Sequence, residues 1–190
     1  LVKGNSRIMG FFRTAFYMPV VMSAVVVGMI WTNLLDSAGL VNSVLKALKI
    51  ISKPIPFLTD RWGVLFSSMF VTIWLGLGYY MVIYLTALAN IDESLYEAAS
   101  LDGAGPVRQF IYVTMPGVRS TMMLIMMLST IAAFRVFNEI YVLTNGSAGP
   151  GGMDMTMSML IKREGTGIQA RTGYASAISI VVLVIVGVML

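Results

Sequence analysis

The sequence predicts an all-α membrane protein, a polytopic transmembrane helix bundle of which this chain holds four spans. Two observations lead to that prediction. Hydrophobic residues fill 57% of the 190 positions and charged residues only 12%, about half the charged share of a typical soluble domain. In addition, four long segments carry almost no charge, and each approaches or exceeds the roughly 20 residues that a helix needs to cross a bilayer.

The four predicted spans occupy residues 15–35, 64–89, 120–144 and 172–190. Three of them contain no charged residue at all, whereas the third carries Arg135 and Glu139 towards its far end. We expect residues 1–190 to form one transmembrane domain that is truncated at both ends. Leu1 is not a start residue and Leu190 lies inside an apolar run, so spans are expected upstream and a short tail downstream.

Composition excludes several classes of function. The chain has no cysteine and no histidine, which removes disulfides, thiolate and imidazole metal sites, and Ser-His-Asp or Cys-His nucleophile systems. The sequence therefore predicts a protein that is not an enzyme and binds no metal. Its basic residues are scattered despite a net charge of +4, so no nucleic acid is predicted as a partner.

The polar connection at 90–119 is predicted to form two short helices. Asn90 followed by Glu93 fits a capping box, which predicts a helix start. Gly103 is placed to provide a left-handed exit, and Pro106 suits the first turn of a second helix that reaches Val113. The face of the first helix repeats at helical spacing and is formed by Leu95, Ala98, Ala99 and Asp102.

This first helix has the properties of a docking element. Its alanines allow close approach of a partner, and carboxylates at Glu93, Glu97 and Asp102 suit a basic surface. Geometry alone leaves open the alternative of an ordinary helix at the membrane interface.

One motif in this connection resembles the EAA signature of binding-protein-dependent ABC importer permeases, the MetI-like fold. The motif runs Glu97-Ala98-Ala99, three residues, Gly103, nine residues and then Val113-Thr114-Met115-Pro116. Val113 stands for the usual Ile and Met115 for the usual Leu, and Asp92 stands where many relatives have Pro.

Further segments resemble the carbohydrate-uptake branch of that family, specifically its first-permease (maltose/glycerol-phosphate) type. They lie in matching order along nearly the whole chain: Phe12–Pro19, Pro56–Asp60, Ala133–Asn138, Tyr141–Thr144 and Gly173–Ala177.

The resemblance implies a permease subunit of an ATP-driven importer of a sugar or related solute, in a bacterial-type inner membrane. Its coupling helix would contact a dimer of ATP-binding subunits in the cytoplasm through Glu97, Ala98, Ala99, Asp102 and Gly103. That dimer would bind ATP and Mg, and this chain would bind no cofactor. A second permease subunit and an extracytoplasmic solute-binding protein are the other implied partners, beside the lipid bilayer.

Charge counting predicts the opposite orientation. Five Lys and Arg residues lie in the head and the 90–119 connection, against seven in the other two connections. The positive-inside rule would therefore put the 90–119 connection outside. We follow the motif, which places it in the cytoplasm.

Four residues are candidates for the solute pathway: Arg135, Asn138, Trp74 and Tyr79. In related permeases the span that carries Arg135 lines the pathway, and aromatic faces such as that of Trp74 suit sugar rings. Two plainer interpretations remain open, namely a local pair between Arg135 and Glu139 and aromatic side chains that only pack.

The alternative function is a secondary transporter or channel that is not driven by ATP. Such a protein is expected to carry ionisable relay residues deep in its spans, and here only Arg135 and Glu139 come close. A membrane-embedded enzyme would need a catalytic constellation that the sequence does not provide.

Overall fold

The computed structural model describes residues 7–167 and 170–189, and within that part of the chain the regular elements are all helical. In chain order the α-helices are α1 Arg7–Tyr17, α2 Ala24–Leu35, α3 Leu40–Ala47, α4 Arg61–Ala89, α5 Glu93–Leu101, α6 Pro106–Gln109, α7 Met115–Gly117, α8 Arg119–Phe134, α9 Asn138–Leu143, α10 Met157–Gly165 and α11 Thr172–Met189. Turns of 3₁₀-helix at Met18–Val21 and Pro150–Gly152, and a π-helical turn at Phe110–Thr114, complete them.

Four helical stretches are long and apolar enough to cross a membrane: Ala24–Ala47, Arg61–Ala89, Arg119–Leu143 and Thr172–Met189. At most 17% of the residues in each apolar stretch are buried inside the chain. Apolar surface exposed on this scale requires lipid or partner subunits to cover it. The predicted fold class, an all-α membrane protein built as a helix bundle, is confirmed.

The first predicted span is not one helix. Helix α1 ends at Tyr17, a 3₁₀ turn follows, and α2 begins only at Ala24. Pro19, which is buried in this turn, explains the interruption because proline lacks the N–H that an α-helix needs and its ring clashes with the carbonyl four residues earlier.

The third predicted span is interrupted as well. Helix α8 ends at Phe134 and α9 starts at Asn138, with Phe137 in a non-helical conformation (φ −142°, ψ −58°). Ser158 donates a hydrogen bond to the carbonyl oxygen of Phe134 at 3.3 Å. Val136 and Phe137 pack against the buried cluster of Ile140, Ala148 and Met159. The break is therefore stabilised by hydrogen bonding and by apolar burial that the linear sequence does not display.

Two compact units divide the described chain. The first comprises residues 7–20 and 76–129, and in it the end of α1 lies against α4 at Gly78. A Cβ atom at Gly78 would collide with the carbonyl oxygen of Phe16 and lie 2.7 Å from Cα of Tyr17. Glycine is needed there because two backbones approach each other too closely for any side chain.

The second unit comprises residues 21–75 and 130–189, without 168 and 169. Its core centres on Val27, Val71 and Leu143, which are at most 2% exposed. Helix α2 crosses α9 closely, since a Cβ atom at Gly28 would lie 2.8 Å from Cβ of Val142.

Asn42 fixes the connection between α2 and α4 in this unit. Its side chain is 1% exposed and donates to the carbonyl oxygens of Asp36 and Ile55 at 3.0 and 3.1 Å. Its own side-chain oxygen accepts from the N–H of Ile55 at 2.8 Å. A buried amide with these hydrogen bonds satisfied holds the connection in one conformation.

Candidate functional site

Helix α5, which carries the EAA residues, starts at a cap that differs from the prediction. Asp92, not Asn90, is the N-cap residue, and its Oδ1 accepts a hydrogen bond from the N–H of Ser94 at 2.9 Å. That hydrogen bond favours the ionised carboxylate and holds the pKa of Asp92 below its usual value. The pairing of Asn90 with Glu93 misplaced the start by two residues because Asp92 is itself a strong capping residue.

The end of α5 confirms the predicted glycine exit. Gly103 has a φ of +71°, and the N–H groups of Gly103 and Ala104 donate to the carbonyls of Ser100 and Ala99 at 3.0 and 2.9 Å. This pair of bonds is a Schellman motif. A Cβ atom at Gly103 would meet nothing within 4 Å, so backbone conformation, and not lack of space, makes glycine the favoured residue.

Helix α5 is fastened to the helical segment that follows it. The hydroxyl of Tyr96 lies 2.9 Å from the hydroxyl of Thr114. Ile91 is 8% exposed and packs on Gly117, where a Cβ atom would lie 2.8 Å from its Cδ1. Gln109 donates to the hydroxyl of Ser100 at 2.9 Å and closes the turn between the two helices. These contacts join α5 and the residue before its cap to α6, to the π-helical turn and to α7.

The outer surface of α5 has no partner within the described chain. Glu97, Ala98, Asp102 and Gly103 are exposed, while Ala99 is half-buried. Leu101 is 90% exposed, which is unusual for leucine on a short capped helix. Among the described residues no ion pair involves Glu93, Glu97 or Asp102. This surface offers carboxylates beside small and apolar side chains, which suits a docking site for a basic partner.

Two of the predicted solute-pathway residues lie at the break between α8 and α9. Arg135 and Asn138 flank it and both are exposed. The break separates Arg135 from Glu139 in the helical register, and no ion pair joins them within the described residues. Asn138 lines an open cavity of about 650 Å³, formed mainly by α2 and α9 together with Lys162 of α10.

Lys162 is the lining residue that sequence reasoning missed. Its Nζ lies 3.8 Å from the centroid of the Tyr141 ring and 5.0 Å from that of Phe137. Those two rings stack at 5.0 Å between centroids. The four-residue spacing of Phe137 and Tyr141 could have indicated that their rings lie together. Nothing in the sequence linked the rings to a lysine 21 positions later.

The other two candidates lie elsewhere. Trp74 packs edge-to-face on Trp31 at 5.6 Å and joins the cluster around Val27, which favours the packing interpretation. Tyr79 is 47% exposed and contacts Tyr80 edge-to-face at 5.3 Å. Neither residue lines the cavity that contains Asn138.

Apolar helices of this length, joined by polar connections, define a multi-pass membrane protein. Its helix α5 projects carboxylates that have no ion-pair partner among the described residues. Residues 2–190 match the family described as binding-protein-dependent transport system inner membrane component, and the chain belongs to that family. The predicted family resemblance is confirmed.

Curated relatives include sugar permeases. The chain is 33% identical over 183 residues to the lactose transport system permease protein LacF of Rhizobium radiobacter, covering 96% of this chain and 61% of that protein. It is 32% identical over 174 residues to the diacetylchitobiose uptake system permease protein NgcF of Streptomyces coelicolor, covering 90% and 48%. The chain thus spans about half to three fifths of the length of these relatives.

A solved structure shares the fold. The chain matches the crystal structure of a bacterial ABC transporter involved in the import of the acidic polysaccharide alginate, with a TM-score of 0.75 and 24% identity. The match covers 97% of this chain and 65% of the other.

Proposed function

We propose that this chain is the membrane-spanning part of a permease subunit in an ATP-driven importer, and that it forms the translocation path for a sugar or related solute. The observation that carries the proposal is α5, an exposed helix with the EAA residues, capped at both ends, in a chain of this transport family. The subunit is a transport component and not an enzyme.

Coupling to ATP takes place through α5 in this proposal. A dimer of separate ATP-binding subunits binds ATP and Mg and receives Glu97, Ala98, Ala99, Asp102 and Gly103 in a groove. Leu101, exposed beside them, adds an apolar contact. Closure of the dimer displaces α5, and the Tyr96–Thr114 hydrogen bond and the Ile91–Gly117 contact pass that displacement to α7 and α8.

Translocation uses the second unit. Non-helical backbone at membrane depth is tolerated where it lines a cavity, and the break before α9 does so, because Phe137 and Asn138 line the cavity. A saccharide is the proposed solute class, since two of the relatives are named as permeases for lactose and for diacetylchitobiose.

The remaining partners follow the same family pattern. A second permease subunit completes the pathway, and an extracytoplasmic binding protein delivers the solute, as in the alginate transporter solved in complex with an alginate pentasaccharide-bound periplasmic protein. The bacterial inner membrane is the proposed location, with the 90–119 connection in the cytoplasm.

Uptake into proteoliposomes tests this function against a gradient-driven transporter or channel. The full-length protein is reconstituted with its ATP-binding, permease and binding-protein partners, and uptake of a panel of labelled mono- and disaccharides is measured. We expect uptake only with enclosed ATP and Mg, unchanged by ionophores that dissipate ion gradients. Uptake without ATP that ionophores abolish would overturn the proposal.

A further inference from the structure

Lys162 lines the cavity, and no ion pair joins it to an acidic residue in the described part of the chain. The nearest acid along the chain, Glu164, pairs with Arg163 at 3.2 Å and Arg171 at 3.9 Å. Within the described residues, the recorded contacts of the Lys162 ammonium are the faces of Tyr141 and Phe137.

An ammonium over aromatic rings keeps most of its hydrogen-bonding capacity. It has three N–H donors, and aromatic faces attract the positive charge without accepting strong hydrogen bonds. The rings therefore position Lys162 at the cavity and leave donors available for an oxygen acceptor. Carboxylate and phosphate oxygens are the acceptors with which an ammonium forms its strongest hydrogen bonds.

The other polar residues of the cavity are uncharged. They are Thr32, Asn33, Asn138, Tyr141 and Asn145. The side-chain N–H₂ of Asn33 donates to the carbonyl of Met29 at 2.8 Å, and among the described residues no recorded hydrogen bond is accepted by its side-chain oxygen. Carboxamides both donate and accept, and suit sugar hydroxyls on either count. No aspartate or glutamate lines the cavity, so nothing on its wall repels an anion.

We propose that this cavity is a binding subsite for an acidic saccharide, in which Lys162 pairs with a carboxylate or phosphate group on the sugar and the asparagines bind its hydroxyls. This inference rests on the proposed function and narrows its solute class. Tyr141 and Phe137 act as positioning residues, because they hold the ammonium at the wall.

Direct binding to the assembled complex tests the subsite. Labelled glucuronate is titrated onto the complex in detergent, with glucose 1-phosphate and glucose as competitors. We expect saturable binding that glucose 1-phosphate displaces at concentrations where glucose does not. Lys162→Gln should weaken glucuronate binding about tenfold or more, since a hydrogen bond to a charged group contributes about 1.5–3 kcal/mol.

Two variants separate charge from folding. Lys162→Arg keeps a cation and should stay close to the wild-type affinity. Lys46→Gln removes an exposed lysine of α3 that does not line the cavity and should change nothing. Absence of saturable glucuronate binding, equal competition by glucose, or unchanged affinity in Lys162→Gln would each overturn the subsite. Cross-linking of α5 to the ATP-binding subunit reports the importer role independently, so a refuted subsite with that cross-link intact leaves the proposed function standing.

Discussion

The hydroxyl of Tyr96 in α5 lies 2.9 Å from the hydroxyl of Thr114, the last residue of the π-helical turn that leads into α7. The bond spans 18 residues of sequence and joins the proposed docking helix to the segment that enters the membrane. A second side-chain hydrogen bond, from Gln109 to the hydroxyl of Ser100, joins α5 to α6.

Tyr96→Phe should uncouple transport from ATP hydrolysis. The variant removes one hydroxyl and about 1 kcal/mol of hydrogen bonding, so we expect solute imported per ATP hydrolysed to fall about fivefold while the complex still assembles. Tyr112→Phe is the matched control, because Tyr112 is 75% exposed. If Tyr96→Phe left the ratio of solute imported to ATP hydrolysed unchanged, the hydrogen bond would have no role in coupling hydrolysis to transport.

The effect of a substitution at Gly103 should depend on how readily the new residue adopts a positive φ, and not on the size of its side chain. Alanine in the left-handed region costs about 1–2 kcal/mol, while asparagine enters it more readily. We therefore expect Gly103→Ala to lower solute-stimulated ATP hydrolysis more than the larger Gly103→Asn does. Gly105→Ala is the control, since Gly105 has a φ of −69° and equal space around it. Equal activity of all three variants would contradict the role of the Schellman turn.

Acid should loosen the start of α5. The pKa of Asp92 is lowered in the folded chain by the hydrogen bond from Ser94, so its stabilising contribution is complete above the unfolded pKa of about 3.9. That contribution is lost as pH falls through the folded value. Hydrogen exchange at Ser94, corrected for intrinsic rates, should accelerate below about pH 4 in the wild type. Asp92→Asn keeps a capping oxygen without a titrating group and should show no acid-dependent loss.

Asn138 and Arg135 should both affect solute transport, with membrane insertion and assembly intact. Asn138 lines the cavity, so Asn138→Ala should raise the KM for uptake about fivefold through loss of roughly 1 kcal/mol of hydrogen bonding. Arg135→Ala should lower the rate of solute uptake, as the sequence analysis predicts. Normal uptake kinetics in both variants would show that the helix break does not line the solute pathway.

Sequence patterns predicted the features whose causes are local. Composition and charge-free length predict the apolar helices, and the glycine at 103 and the proline at 106 predict the end of one helix and the start of the next. Both occur as expected, with Gly103 at positive φ and Pro106 in the first turn of α6.

The features that sequence reasoning missed depend on distant contacts. The break after Phe134 is stabilised by Ser158, 24 residues away, and Trp74 is held by packing on Trp31. Lys162 reaches Tyr141 only because α10 folds back towards α9. Hydrophobic periodicity indicates which apolar residues share one face of a helix. It does not indicate which residues of distant helices contact each other.

Cysteine chemistry at Ala98 tests the central claim, the docking of α5 on an ATP-binding subunit in the cytoplasm, most directly. Ala98 is exposed on α5, and these 190 residues contain no native cysteine. In the full-length protein, Ala98→Cys is paired with cysteines in the groove of the co-expressed ATP-binding subunit. Ser147→Cys, exposed in the next connection, serves as the topology control. The account predicts an Ala98 cross-link that changes with ATP, and labelling by an impermeant maleimide from outside the cell only at Ser147. Labelling of Ala98→Cys from outside, with no cross-link, would invert the topology and contradict the importer assignment.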